Sequence, residues 1–285
     1  MRPLLLLVVL LLAAPAGAES LSPEQAYPWL PTMQDRPATV SLEVALPTPA
    51  GWNRLGAEEG TLSMWLRHLP VRADRSSVQT WDGRTIRAPA AAVVAMDVGE
   101  RDLQQCADTA IRLLSEYRWV AGTAESLAWT FTSGDRTAWA DWRDGEGFVV
   151  SGATVERVRG AARPDSHASF RGWLDLVFTY AGTRSLAREL AAVQGPLEPG
   201  DVFVSPGSPG HAVVILDIAE HPDGRRAALL GQGFMPAQEL HVLDGRGVST
   251  DVIGGSWFVL PEAADALIDT PSWAPFARRD ARRLK

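Results

Sequence analysis

Between residues 200 and 243 the chain alternates short apolar segments with turn-forming residues, and this spacing constrains the fold more than any other feature. The apolar segments run over residues 200–204, 211–219, 226–234 and 239–243. Each is shorter than a typical helix, and the second and third are joined by a turn that contains Asp223-Gly224, a dipeptide that favours tight hairpins. Consecutive strands joined by such turns pair in antiparallel fashion. We therefore predict an antiparallel meander in this part of the chain.

Predicted helices precede this meander. One helix is predicted to begin near Asp102, because Asp102 and Gln105 have the spacing of a capping box. A shorter helix is predicted between residues 60 and 70, and a longer one over residues 173–193 with a break near Gly182. Helices that precede an antiparallel sheet are typical of the α+β class. The sequence therefore predicts an α+β fold.

The N-terminal residues have the pattern of a signal peptide. Residues 1–18 combine a basic residue near the start, an apolar run from Leu4 to Leu12 and the small-residue cleavage motif Ala16-Gly17-Ala18. We expect an exported protein, in the periplasm or outside the cell, with no later stretch apolar enough to span a membrane. Residues 19–50 are predicted to form a proline-rich extended lead-in, and residues 51–285 a single domain.

Charge and motif content exclude several classes of function. The formal net charge is -7, whereas nucleic-acid binding requires a basic face, so no nucleic-acid partner is expected. The basic tail over residues 278–285 is predicted to be the solvated end of a C-terminal helix. No phosphate-binding glycine loop is present. Glu239 and His241 lie on one face of a predicted strand, but no paired ligand spacing accompanies them, so neither a metal nor a cofactor is expected.

Cys106 is the only cysteine of the chain, and it lies close to the predicted start of a helix. The partial positive charge of a helix N-terminus stabilises a thiolate, which is the nucleophilic form of cysteine. This position favours a role in acyl transfer. The alternative is a small buried core residue, which is the commonest fate of a free cysteine. A spare exposed thiol is a liability in an oxidising compartment, so an exported protein favours the first interpretation.

His211 follows Gly210 at the start of a predicted strand, where it is a candidate general base. The alternative is a histidine whose hydrogen bonds are satisfied by the preceding turn. A base needs an orienting partner on its other ring nitrogen. With Asp223-Gly224 as a two-residue turn, Gln232 lies opposite Ile215 and on the same face as His211. A bulge of one residue would change this register.

Further candidates for contact with a substrate surround these three residues. The backbone N–H of Cys106 and the side-chain amide of Gln104 or Gln105 are candidates for an oxyanion hole. Ser208 lies in the turn before the histidine. Trp139 and Trp142 are one helical turn apart and form either a platform for a sugar or peptide or part of the core.

Six strings of residues, taken in order, resemble an uncharacterised bacterial family known as domain of unknown function 4846. The resemblance runs from about residue 50 to the C-terminus and is carried by Leu103-Gln-Gln-Cys-Ala-Asp, Phe131-Thr-Ser-Gly, Tyr180-Ala-Gly-Thr-Arg-Ser-Leu, Gly200-Asp-Val-Phe-Val, Gly207-Ser-Pro-Gly-His-Ala-Val and Met235-Pro-Ala-Gln-Glu-Leu-His-Val-Leu. This family implies no established activity.

The Cys106 helix and the two strands that follow are also similar, at a greater distance, to the NlpC-like cell-wall endopeptidases of the papain-like superfamily. That resemblance implies a papain-like arrangement, in which an N-terminal helix packs on an antiparallel sheet. It also implies Cys106 as nucleophile, His211 as base, Gln232 as the residue that orients it, and a peptide or peptidoglycan-derived substrate. Because the usual Asp-Cys-Ser pattern is missing, a catalytically inactive envelope binding protein of the same fold is the alternative.

Overall fold

The computed structural model describes residues 21–152 and 154–284, so the predicted signal peptide over residues 1–18 lies outside the described residues. The α-helices are α1 (Pro23–Ala26), α2 (Leu42–Ala45), α3 (Leu62–Arg67), α4 (Cys106–Val120), α5 (Trp139–Arg143), α6 (His167–Tyr180) and α7 (Thr183–Glu189). Short 3-10 helices span Leu30–Thr32, Ala124–Ser126 and Arg278–Asp280.

The strands are β1 (Thr39–Ser41), β2 (Asn53–Arg54), β3 (Pro70–Arg72), β4 (Val78–Gln79), β5 (Thr85–Ile86), β6 (Ala90–Val93), β7 (Ala128–Thr130), β8 (Arg136–Ala138), β9 (Glu146–Ser151), β10 (Thr154–Arg159), β11 (Ala191–Ala192), β12 (Val202–Ser205), β13 (His211–Glu220), β14 (Arg226–Gln232), β15 (His241–Leu243), β16 (Val252–Ile253), β17 (Trp257–Val259), β18 (Leu267–Thr270), β19 (Trp273–Ala277) and β20 (Ala281–Arg283).

A sheet of ten strands forms the centre of the molecule. Seven strands follow the order β11-β20-β12-β13-β14-β15-β6, while β2 pairs with β13, and β17 pairs with both β14 and β16. Every pairing in this sheet is antiparallel. The predicted meander is present as β12, β13, β14 and β15, and the α+β class is confirmed.

The central sheet separates two apolar cores. Ala212 and Val214 of β13 point to the core that α4 and α6 cover, whereas Val213 and Ile215 point to a smaller core on the opposite face. The smaller core includes Phe276, from the hairpin of β18 and β19. Both faces of β13 are therefore buried, which explains why this strand is a continuous apolar run rather than an alternating one.

Helix α4 begins later than the sequence predicts. Asp102 does not cap it, because its Oδ1 accepts hydrogen bonds from the backbone N–H of Ala237 at 2.6 Å and from Nε2 of Gln105 at 3.1 Å. The helix instead begins after Gln105, whose backbone N–H donates to Oδ2 of Asp108 at 3.1 Å. Cys106 is consequently the first residue of the helix.

Both ends of the described chain pack into the domain. Trp29, within the proline-rich segment, is fully buried, and its indole N–H donates to the carbonyl of Ala95 at 2.7 Å. The expectation of a solvated helix at the basic tail is wrong. Residues 281–283 form β20, which lies between β11 and β12, and Arg283 pairs with buried Asp201 at 2.6 Å. Pairing between distant parts of the chain overrides the local pattern of charges here.

Candidate functional site

The structure places His211 and Gln232 in direct contact. Nε2 of His211 lies 2.7 Å from Oε1 of Gln232, and both side chains are buried. The predicted register was wrong, because Ile215 pairs with Leu230 and not with Gln232. The hairpin turn moves the register by one residue, and a bulge between Ile215 and Asp217 moves it by one more. The two shifts together return Gln232 to the face that carries His211.

The sulfur of Cys106 lies beside the backbone on either side of His211. Sγ is 3.8 Å from the carbonyl oxygen of Gly210, and the backbone N–H of Ala212 interacts with the thiol. The start of α4 reaches this position because Gly233 has no side chain. A Cβ at Gly233 would clash with Oγ1 of Thr109 on the first turns of the helix.

The imidazole of His211 is enclosed by aromatic rings. The ring centroids of Phe234, Trp273 and Phe276 lie 5.0, 5.1 and 6.2 Å from that of His211. Burial lowers the pKa of His211 to about 4, against the hydrogen bond to Gln232, which raises it. The imidazole is therefore neutral at neutral pH. Among the residues that the structure describes, none forms a hydrogen bond with Nδ1.

The thiol of Cys106 is protonated at neutral pH. Burial and then the nearby Asp108 carboxyl raise its pKa to about 11, although backbone N–H groups at the helix start act in the opposite direction. The expectation that the helix terminus stabilises a thiolate is therefore wrong for this conformation. The residue is 6% exposed, so the loss of solvation outweighs the partial charge of the helix.

Two further polar side chains, His241 and Ser272, contact Gln232 on the side away from His211, and the sequence did not predict these contacts. Nε2 of Gln232 is 3.4 Å from Nε2 of His241 and 3.3 Å from Oγ of Ser272. Nδ1 of His241 lies 3.0 Å from the carbonyl oxygen of Glu239. Gln232 and His241 are direct partners on β14 and β15, so a correct register for this strand pair was the signal that would have found this contact.

The carboxylate of Glu239 is paired with two arginines and not with His241. The carboxylate of Glu239 binds Arg72 at 3.2 Å and Arg75 at 2.5 Å, away from the imidazole of His241. Within residues 21–152 and 154–284, no group of three His, Cys, Asp or Glu side chains is placed to hold a metal ion.

The two candidate oxyanion glutamines differ in their surroundings. Gln104 is fully buried, and its Oε1 accepts a hydrogen bond from Arg112 at 2.7 Å. Its Nε2 is buried and has no hydrogen-bond partner among the described residues, so this donor is free. The side chain of Gln105 instead donates to Asp102. Of the two amides, only that of Gln104 has an unused donor, and its oxygen is directed to Arg112 in the core.

The other predicted contact residues are separate from this cluster. Ser208 is exposed in the turn before β13. Trp139 is 1% exposed and belongs to the core on the helix side, 6.2 Å from the ring of Trp173. The face of Trp142 is covered by the guanidinium of Arg163 at 3.9 Å. The two indoles form part of the core and not an open platform, because the bulkiest apolar rings gain most from burial.

Two surface cavities lie away from the cluster. The larger has a volume of about 780 Å³ and is lined mainly by residues 244–256. The smaller has a volume of about 260 Å³ and is lined by Arg225, Arg226 and Arg278 around an apolar floor. Neither lining includes Cys106 or His211. In the part of the chain that the structure describes, no helix has the length and apolar character to cross a membrane.

These features define an α+β protein in which a cysteine opens a helix beside a histidine that opens a strand of an antiparallel sheet. The chain belongs to the family described as domain of unknown function 4846, whose family model matches residues 42–283. No curated protein and no solved structure matches it significantly.

Proposed function

We propose that the chain is an exported cysteine hydrolase of papain-like arrangement that cleaves an amide bond in cell-wall peptides. One observation carries the proposal. Gln232 holds Nε2 of His211 at 2.7 Å, and Nδ1 of His211 has no partner among the described residues. The sulfur of Cys106 lies 3.8 Å from the carbonyl oxygen of Gly210, the residue before His211.

An oriented imidazole with one free nitrogen and a thiol are the two groups that an activated nucleophile requires. The ring of His211 lies on the face of β13 opposite α4, against Trp273 and Phe276, so the proposal requires the ring and the sulfur to approach each other when a substrate binds.

In the proposed reaction, Nδ1 of His211 takes the proton of the Cys106 thiol as the sulfur attacks the carbonyl carbon of the substrate. The carbonyl oxygen becomes an oxyanion, and the backbone N–H of Cys106 and the free amide of Gln104 are its candidate donors. The imidazolium then protonates the leaving amine, which departs as the thioester forms. Water, deprotonated by His211, then attacks the thioester carbonyl, the C–S bond breaks and the acid is released, and the proton returns from His211 to the sulfur.

The protonation states favour proton transfer during the attack over a preformed ion pair. The thiol has a pKa of about 11 and the imidazole a pKa of about 4, so both are neutral at neutral pH. Trp273 covers the imidazole at 5.1 Å and keeps water from the hydrogen bond between His211 and Gln232. A substrate that enters this site must displace part of the aromatic cover.

The second candidate is an envelope protein that binds a peptide or glycan without cleaving it. The complete burial of His211 and the raised pKa of Cys106 favour this alternative. A nucleophile has to meet its substrate, and this conformation leaves only 6% of Cys106 exposed. The two candidates differ in the reactivity of the thiol toward an electrophile that mimics a substrate.

The test uses the mature protein, residues 19–285, and a peptidyl chloromethyl ketone as the electrophile. If the hydrolase proposal is correct, Cys106 is alkylated near neutral pH, and His211→Ala slows the alkylation by about 100-fold or more. His221→Ala is the matched control, because His221 lies in an exposed turn and pairs with Asp223. The rate for His221→Ala should equal that of the wild type.

A second measurement follows the cleavage itself. Peptidoglycan fragments are incubated with the wild type and with Cys106→Ala, and new amino groups are counted. Release by the wild type alone supports the hydrolase. Binding of the fragments without release, together with alkylation that does not depend on His211, supports the envelope binding protein.

A further inference from the structure

We infer that His241 is a positioning residue that sets the tautomer of His211 by way of the Gln232 amide. The inference rests on the proposed function for its catalytic consequence, but the tautomers themselves are properties of the folded chain. Three side chains form a line across neighbouring strands: His211 on β13, Gln232 on β14 and His241 on β15. All three are buried, with exposures of 0%, 1% and 0%.

The direction of the line is fixed at its far end by a backbone carbonyl. Nδ1 of His241 lies 3.0 Å from the carbonyl oxygen of Glu239, and a carbonyl oxygen only accepts hydrogen bonds. Nδ1 of His241 therefore carries the proton. Burial lowers the pKa of His241, so the ring is neutral and its Nε2 presents a lone pair. Nε2 of His241 consequently acts only as an acceptor.

The lone pair of His241 determines which way the Gln232 amide points. The amide atom that faces Nε2 of His241 at 3.4 Å has to be a donor, so it is the NH2 group, and Oε1 then faces His211. Ser272 also contacts this NH2 group, at 3.3 Å, but a hydroxyl both donates and accepts. Ser272 holds the amide in place without selecting its direction.

The amide direction sets the tautomer of His211. Oε1 of Gln232 only accepts, so Nε2 of His211 must donate to it across 2.7 Å. In a neutral imidazole, a proton on Nε2 leaves the lone pair on Nδ1. That nitrogen is the one with no partner among the described residues, and it is the atom that a thiol proton would have to reach. Without His241 the amide can rotate by half a turn and drive the proton onto Nδ1.

The first test measures the tautomers directly. The mature protein is labelled with ¹⁵N-histidine, and the nitrogen shifts and their couplings to ring protons are recorded near neutral pH. We expect His211 to carry its proton on Nε2 and His241 on Nδ1. Finding the proton of His211 on Nδ1 in the wild type would overturn the inference. The spectra of variants that lack one histidine assign the signals.

Two variants at position 241 separate positioning from packing. His241→Leu fills the site without an acceptor, whereas His241→Gln keeps an amide oxygen that can accept from Gln232. We expect His211 to populate both tautomers in His241→Leu and to return to the Nε2–H form in His241→Gln. An unchanged tautomer in a folded His241→Leu protein contradicts the inference. If His241→Leu does not fold, His241→Ala, which also lacks the acceptor, is compared with His241→Gln in the same way, and an unchanged tautomer in His241→Ala contradicts the inference.

The alkylation rate of Cys106 gives the catalytic consequence. Loss of a residue that sets a histidine tautomer costs at least about tenfold. We expect His241→Leu to lose this much and His241→Gln to stay close to the wild type. If the thiol proves unreactive in every variant while the tautomers are as expected, the hydrolase proposal fails and the positioning role stands.

Discussion

At the scale of single residues, burial has more influence on the site than position on an element. Cys106 does open a helix, yet its pKa is raised to about 11 because it lies under the strand that carries His211. The residue types of the site and their order along the chain are predictable from the sequence, since both depend on local pattern. The protonation states are not predictable in this way, because these depend on Trp273, Phe276 and other groups distant in sequence.

The lowered pKa of His211 predicts a loss of stability in mild acid. The unfolded chain takes up a proton near pH 6.5, whereas the folded protein does so only near pH 4. Between these values the unfolded state binds more protons, so the free energy of unfolding falls as the pH falls, by about 3 kcal/mol in total.

Urea unfolding at several pH values between 7 and about 4 measures this effect. His211→Gln removes the titrating group, so its unfolding free energy should depend less steeply on pH than that of the wild type. His221→Gln, in an exposed turn, is the control. Parallel curves for the wild type and His211→Gln would show that His211 is solvated and titrates normally in the folded protein.

A buried carboxylate beside the bulge of β13 gives a second prediction. Asp217 is fully buried and pairs with Arg54 at 2.6 Å and with Arg67 at 3.1 Å. Asp217→Asn leaves both guanidinium groups without their counter-charge, so we expect the free energy of unfolding to fall by about 3–5 kcal/mol. Urea unfolding at neutral pH measures it. Asp223→Asn, in the exposed turn, should leave the unfolding midpoint near that of the wild type.

At the scale of elements, the sequence predicted which segments are strands more reliably than how the strands pair. The sequence predicts that Gln232 and His211 share a face of the sheet, but the register behind this prediction is wrong. The hairpin turn and the bulge each shift the pairing by one residue. A bulge depends on local backbone geometry and on the buried groups around Asp217, which no alternation of apolar residues reveals. The predicted start of α4 is wrong for a related reason. The Asp102 carboxylate accepts a hydrogen bond from the backbone N–H of Ala237, in a distant loop, and so does not cap the helix.

The contact between α4 and β14 gives a prediction at this scale. Gly233 lets the helix approach the strand, and a Cβ there would lie 3.2 Å from the carbonyl oxygen of Gln105 and clash with Oγ1 of Thr109. We expect Gly233→Ala to lower the free energy of unfolding by about 1–3 kcal/mol. We also expect slower alkylation of Cys106, because the helix start moves away from His211.

The double variant Gly233→Ala, Thr109→Ala removes the closest of the clashing atoms and should recover part of both losses. Gly56→Ala is the matched control, because a Cβ at Gly56 meets no atom within 4 Å. A Gly233→Ala protein as stable and as reactive as the wild type would show that the close approach of helix and strand has no role in placing the thiol.

At the scale of the whole molecule, the central sheet joins segments that lie far apart in the sequence. The meander of β12 to β15 was predictable because its strands are consecutive and its turns are short. The addition of β6 at one edge and of β20 near the other was not predictable. Strand β6 pairs with β15, far along the chain, and β20 pairs with the distant β12 although the charges of the tail suggest solvent exposure. Local pattern carries no information about such pairings.

The position of β20 predicts that the last residues stabilise the entire domain. Deletion of residues 281–285 removes the strand between β11 and β12, leaves their facing backbone groups unpaired and takes Arg283 from the buried carboxylate of Asp201. Because the Arg283 side chain is 37% exposed, the loss of its hydrogen bonds to Asp201 costs about 1–3 kcal/mol. We therefore expect a larger fall in the urea midpoint for the deletion than for Arg283→Ala, with Arg279→Ala, an exposed residue outside the strand, close to the wild type. A deletion protein that unfolds at the wild-type midpoint would mean that β20 is dispensable and that the sheet ends at β12.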